Sequence, residues 1–185
     1  MNPTDYEIYD GWARGAERRQ SPNVDERPSD SPIDLLVIHA ISLPPNKFGG
    51  GYVNDLFLNS LEPDQHEYFR EIEGLRVSSH FFITRDGQLT QFVSTNDRAW
   101  HCGESNYCGR TRCNDFSIGI ELEGCDTIPF EGAQYETLAA ITTALCDAYP
   151  ALSNERIVGH SDIAPGRKTD PGPCFNWEYY LELLG

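Results

Sequence analysis

The chain has 185 residues, with 14 basic against 29 acidic side chains and a formal net charge of -15. That length suits one domain able to bury roughly 70% of its unfolded surface without disulfide staples, and the charge disfavours nucleic acid or an anionic membrane as main partner, because both reward excess cations. Six cysteines without a C-x-x-C pair read as free structural thiols in a reducing compartment, Met1 to Asp10 lack the basic and apolar regions of a secretory signal, and no run approaches the ~20 apolar residues of a membrane span, so a cytoplasmic protein is expected.

Residues 1 to 32 are polar and broken by Ser21-Pro22-Asn23 and by Arg27-Pro28-Ser29-Asp30-Ser31-Pro32, which predicts an irregular N-terminal strap with Trp12 as an anchor, ahead of a core over residues 33 to 185. Ile33 to Ile38 is apolar apart from Asp34 and predicts a strand buried on both faces, ending on His39. Pro44 and Pro45 stop it, and Gly49 to Gly51 turn the chain. Val53, Leu56, Phe57 and Leu61 recur at helical spacing, and Asp64 is a candidate cap for a second short helix carrying Tyr68, Phe69 and Ile72. His80 to Thr84 and Gln88 to Val93 flank Arg85-Asp86-Gly87 as the strands of a hairpin. Trp100 to Arg112 predicts a long irregular loop whose aromatic content argues against disorder. From Phe116 to Glu123 the pattern alternates, with Phe116, Ile118, Ile120 and Leu122 on one face and Ser117, Gly119, Glu121 and Glu123 on the other. Glu131 to Tyr149 predicts a helix with the stripe Leu138, Ile141, Leu145 and Ala148, ended by Pro150. A short strand over Arg156 to Val158 leads to His160 and to a turn-rich Pro/Gly stretch, where a regular helix is disfavoured. Asn176 is a candidate N-cap for a last helix carrying Trp177, Tyr180, Leu181 and Leu184. Because the hairpin must be antiparallel, this order predicts an α+β fold, a single domain with a central mixed sheet of about four to six strands flanked by helices.

His39 ends one strand, His160 follows another, and Asp170 lies further along the Pro/Gly stretch. Two imidazoles and a carboxylate suit Zn²⁺ and leave one tetrahedral position open. Taken singly each histidine is more often structural, and the spacing matches no local metal motif. A metal hydrolase also needs a base, and a cation for developing negative charge. Glu121 is the base candidate, because Ser117 and Gly119 leave room on its face, and Glu123 is its rival; on an edge strand both would merely solvate the surface. Lys168, one of two lysines with Lys47, is the candidate cation, with a salt bridge or a solvated loop as the alternative. Arg76, Arg98, Arg110 and Arg112 offer planar forks suited to carboxylates of a substrate or of the chain's own acidic residues. Trp100 and His101 are candidates to line a sugar or peptide groove, with core packing as the alternative for the indole.

The stretches Leu35-Leu-Val-Ile-His39, Ile41-Ser-Leu-Pro-Pro45, Arg76-Val-Ser, Arg98-Ala-Trp-His101, Cys113-Asn-Asp-Phe-Ser-Ile-Gly-Ile-Glu-Leu-Glu-Gly124, Gly159-His160, Ile163-Ala-Pro165 and Arg167-Lys-Thr-Asp-Pro-Gly-Pro173 follow one another over nearly the whole chain. On them the chain resembles the zinc N-acetylmuramoyl-L-alanine amidases, a family that includes the peptidoglycan recognition proteins. The resemblance implies that His39, His160 and Asp170 bind one zinc ion. It implies that Glu121 handles the proton of the catalytic water, that Lys168 stabilises the tetrahedral oxyanion, and that Arg76 and Arg112 hold carboxylates of the stem peptide. The implied substrate is cytoplasmic anhydro-muropeptide from cell-wall turnover, cut between the lactyl group of anhydro-N-acetylmuramic acid and L-alanine, with no obligate protein partner. One departure is Ala40, where close relatives commonly carry Asn, so an amide toward the substrate is missing. The alternatives are a non-catalytic peptidoglycan-binding module, disfavoured by the complete ligand set with Glu121 and Lys168, and a zinc peptidase acting on the stem peptide.

Overall fold

The computed structural model describes residues 5–185, so the first four residues of the expected strap lie outside the described residues. In chain order the elements are β1 (Glu7–Tyr9), β2 (Trp12–Arg14), β3 (Glu17–Arg18), β4 (Val24–Glu26), β5 (Leu35–Ile41), α1 (Tyr52–Phe57), α2 (Glu67–Glu71), β6 (Phe81–Ile83), β7 (Leu89–Gln91), β8 (Asp97–Ala99), β9 (Asn106–Tyr107), β10 (Arg110–Thr111), β11 (Ser117–Glu123), α3 (Gly132–Ala148), β12 (Ile157–Gly159), α4 (His160–Ile163) and α5 (Trp177–Leu184). Six strands form one mixed sheet in the order β12-β5-β11-β6-β7-β3. Strands β12, β5, β11 and β6 run parallel, whereas β6 and β7 form the expected hairpin. The fold is thus α+β with a central mixed sheet. Strand β11 lies between β5 and β6 and is buried along its whole length, so its polar face is not that of a solvated edge strand.

One face of the sheet packs on helices. Leu36 and Ile38 of β5 and Ile118, Ile120 and Leu122 of β11 meet Leu138, Ile141 and Leu145 of α3 and Tyr180 of α5 in the main core. The stripe on α3 follows the predicted spacing up to Ala148, which is exposed near the helix end. At its start the side chain of Gln134 accepts a hydrogen bond from the Glu131 N–H at 3.1 Å. Asn176 caps α5 by accepting from the Tyr179 N–H at 3.0 Å. On that helix Tyr180 is fully buried while Leu181 is 40% exposed, so Leu181 does not join the stripe. The Tyr180 hydroxyl lies 2.7 Å from Thr142 Oγ1, and both residues are sealed from solvent. Tyr180→Phe strands the Thr142 hydroxyl and should cost about 1–3 kcal/mol, seen as a lower urea midpoint at unchanged m-value.

Over its described residues the N-terminal strap is not wholly irregular. Strands β1 and β2 pair as a hairpin, β3 adds to the β7 edge in parallel, and β4 pairs with β8. Its anchors are polar, which is why no hydrophobic period announces them. The Asn23 amide donates to Val77 O at 2.7 Å, and the Arg27 guanidinium donates to the carbonyls of Thr95, Asn114, Asp115 and Ser117. Ala13 rather than Trp12 reaches the core; Trp12 is half-buried, with the Arg18 guanidinium 3.5 Å above its ring.

Four further expectations change for local reasons. His66, not Asp64, caps α2 by accepting from the Tyr68 N–H at 3.1 Å, while Asp64 takes a hydrogen bond from Arg70. Phe116 closes a 3₁₀ turn over Cys113–Asp115 instead of opening β11, so it packs with Leu35 and Val37 on the opposite face from Ile118. The loop from Trp100 to Arg112 carries the small hairpin of β9 and β10, and the Pro/Gly stretch opens with the single helical turn α4.

Candidate active site

His39 and Glu121 lie directly opposite one another on the neighbouring strands β5 and β11, toward the carboxyl ends where open α/β sheets place ligands. Side chains alternate along a strand and pair across it, so both leave the helix-covered face. His160 follows β12, the next strand out, as the first residue of α4. The chain then turns back on itself. The Ser161 N–H donates to Asp170 O at 3.0 Å, which brings the Asp170 carboxylate against both imidazoles. Gly159 permits this return, because a Cβ there would lie 2.9 Å from Pro171 Cδ.

Three donor atoms converge. His39 Nδ1 and His160 Nδ1 are 3.0 Å apart, and Asp170 Oδ2 is 3.2 Å from the first and 3.1 Å from the second. Burial pushes the His39 imidazole down to about 4, against the pull of Asp170, and so keeps it neutral. For Asp170 burial alone would raise the pKa, but the His160 and His39 imidazoles beside it outweigh burial and hold the carboxyl well below its usual range. Neutral imidazole and ionised carboxylate are the forms that ligate Zn²⁺. Ligand atoms about 2.0–2.1 Å from a tetrahedral ion stand roughly 3.3 Å apart. The separations here are close to that, and the three residues fit the ion.

A second group, His39 with His101 and Cys102, also gathers donor atoms. It uses the opposite nitrogen of His39, whose Nε2 lies 2.9 Å from His101 Nδ1. Cys102 is fully buried, and burial pushes its thiol well above the usual range, which disfavours a thiolate. All three residues of this group are buried, the setting of a closed structural site rather than of an open catalytic one. The group of His39, His160 and Asp170 instead adjoins a cavity of about 540 Å³ lined by His160, Asp170, Glu121, Lys168 and Trp100.

The Glu121 carboxyl is buried and raised well above its usual pKa, by burial first and by Asp170 second, with Lys168 opposing. Its Oε2 has no hydrogen-bond partner, an uncommon condition for a buried acceptor that calls for a functional reason. Glu123 is committed elsewhere, accepting from the Gly49 and Arg85 N–H groups and pinning two loops. Lys168 is exposed on the cavity wall. Trp100 belongs to that wall rather than to the core, with its indole N–H donating to Asp25 at 2.8 Å. His101 reaches the cavity but is 8% exposed and lies mainly behind His39.

The arginines divide. Arg98 pairs with Asp25 and Asp115, and Arg110 with Asp34. Arg112 is exposed and reaches Asp115 at 3.3 Å. Arg76 lines a separate cavity of about 340 Å³ that shares Leu56, Ile72 and Leu75 with the first. Neither Arg76 nor Arg112 lines the cavity beside the imidazoles. Sequence reasoning missed His80, whose Nδ1 accepts from the Gly119 N–H at 3.0 Å and whose ring packs on His101. Its only signal was an imidazole heading the apolar run Phe81-Phe-Ile83.

The sequence model of the N-acetylmuramoyl-L-alanine amidases matches residues 29–173 of this chain. The chain belongs to the N-acetylmuramoyl-L-alanine amidase family. Among relatives, the amidase is 53% identical over 178 residues to the 1,6-anhydro-N-acetylmuramyl-L-alanine amidase AmpD of Haemophilus influenzae, covering 96% of this chain and 97% of that protein. Its fold matches the crystal structure of a selenomethionine derivative of AmpD with a TM-score of 0.93 at 51% identity, over 96% of this chain and 99% of that one. It is also similar to the Escherichia coli amidase AmiD, solved in complex with its substrate anhydro-N-acetylmuramic acid-L-Ala-D-gamma-Glu-L-Lys. That match has a TM-score of 0.61 at 30% identity and covers 96% of this chain and 65% of AmiD. The amidase is a zinc metallohydrolase that uses one zinc ion. Among the described residues no helix is long and apolar enough to cross a membrane.

Proposed function

We propose that this amidase hydrolyses the amide bond between the lactyl group of anhydro-N-acetylmuramic acid and L-alanine of the stem peptide, in cytoplasmic peptidoglycan recycling, with zinc held by His39, His160 and Asp170. The observation that carries the reading is the convergence of those three donor atoms beside a cavity walled by Glu121 and Lys168. The substrate class rests on relatives named for, or solved with, anhydromuramyl compounds. Zinc held there supplies Lewis acidity, polarising a carbonyl and bringing the pKa of a water toward ~7. Glu121 takes the proton of the attacking water and delivers it to the leaving nitrogen of L-alanine. Lys168 sets its ammonium beside the oxyanion.

Trp100 offers a flat wall to the sugar or peptide, and Ala40 lines the same cavity. Arg76 and Arg112 take carboxylates of the stem peptide. Arg112 can exchange Asp115 for a substrate carboxylate at little cost, since an exposed ion pair is worth ~0–1 kcal/mol. Arg76→Ala should raise KM about tenfold at unchanged kcat, the equivalent of one charge-assisted hydrogen bond that binds substrate and transition state alike.

Metal analysis paired with a digest of a defined anhydro-muropeptide, with and without chelator, tests the reading. The expected result is stoichiometric zinc, release of peptide-free sugar together with intact stem peptide, loss of cleavage on chelation and its return with Zn²⁺. Shortened peptides still attached to sugar would make the protein a stem-peptide peptidase. Binding without cleavage would make it a peptidoglycan-binding module.

A further inference from the structure

The hydrogen bonds behind the two ligand imidazoles favour one direction. A backbone carbonyl accepts and never donates, so the Ser117 hydroxyl, 2.6 Å from Cys113 O, donates to it. Ser117 Oγ is then the acceptor for His101 Nε2 at 3.3 Å. A neutral imidazole carries one proton, so His101 has it on Nε2 and presents a lone pair at Nδ1. That lone pair faces His39 Nε2 at 2.9 Å, which therefore bears the His39 proton and leaves His39 Nδ1 bare. His160 repeats the pattern more simply, with its Nε2 donating to Cys102 O at 3.1 Å and its Nδ1 left bare. The two bare nitrogens lie 3.0 Å apart with Asp170 Oδ2 beside both, an arrangement of lone pairs that a cation resolves.

The supporting pieces are built for this purpose. A Cβ at Gly119 would lie 2.4 Å from His101 Nδ1, so only glycine on that face of β11 leaves space for the ring. The N–H groups of His101 and Cys102 both donate to Asn114 Oδ1, at 3.2 and 2.8 Å. The dipeptide that backs both imidazoles is itself held in place.

We propose that His101 is a positioning residue of the metal site. By accepting from His39 Nε2–H it sets the tautomer that turns His39 Nδ1 toward the ion, without ligating the ion itself. The inference rests on the ligand set of the proposed function. Outer partners of metal-bound histidines typically govern roughly 10–100-fold in metal affinity.

The test is made on zinc-loaded protein. Long-range ¹H–¹⁵N NMR of the imidazoles reports which nitrogen of His39 carries the proton, and chelator competition gives the zinc Kd of His101→Leu, His101→Asn, Cys102→Ser and, as reference, Asp170→Ala. The expected tautomer is Nε2–H. His101→Leu should weaken zinc roughly 10–100-fold with circular dichroism unchanged, whereas His101→Asn, whose Oδ1 replaces the Nδ1 acceptor, and Cys102→Ser should stay within about threefold. A proton on His39 Nδ1 overturns the proposal, as does a folded leucine variant with unchanged Kd or an asparagine variant as weak as leucine. If the leucine variant fails to fold, the tautomer in the unmodified protein decides. Retention of zinc by Asp170→Ala together with its loss from Cys102→Ser would instead overturn the ligand assignment, a failure distinguishable from that of His101.

Discussion

Glu121→Ala should lower kcat by about 10²- to 10⁴-fold, the usual contribution of a general base, while zinc content stays unchanged. The carboxylate stands opposite His39 in the β11–β5 register, so the rigid centre of the sheet sets its position relative to the ligands. It is not one of the three converging donors, and its Oε2 is buried without a hydrogen-bond partner. A buried carboxyl of this kind costs folding free energy, so the same substitution should leave the thermal midpoint equal or higher. Loss of turnover with no loss of stability separates a proton-transfer role from a structural one. Near-normal turnover in Glu121→Ala would move the base elsewhere. Glu123 is a poor successor, because it is tied to the backbone of two loops and its removal should loosen them.

Lys168→Ala should reduce kcat by on the order of 10²- to 10³-fold, as removal of other oxyanion donors does, with KM little changed. The loop that carries Lys168 does not depend on its ammonium. Its backbone N–H bonds to Ala164 O at 3.1 Å, and the neighbouring Arg167 anchors the loop through Cys102 O at 2.7 Å. Lys168→Ala should therefore keep its zinc and its fold. Lys168→Arg should recover only part of the rate, because a planar guanidinium cannot reproduce a compact ammonium. An effect confined to KM would make Lys168 a substrate-binding residue instead.

Elements whose burial follows a local period could be read from the order of amino acids alone. Strands β5 and β11, the hairpin of β6 and β7, and helices α3 and α5 were legible because alternation and helical spacing record which side chains meet a core. Residue type and motif order also nominated His39, Glu121, His160, Lys168 and Asp170. The folded chain alone sets β5, β11 and β12 side by side, which is what brings residues 39, 121 and 160 together. It also decided what buried polar groups bond to. Arg27 holding the strap against Ser117, Glu123 pinning two loops, and His101 backing His39 all depend on partners far away in the chain. A hydrophobic period is a local property of the chain, whereas the partner of a buried donor or acceptor is supplied by whatever segment the fold places beside it.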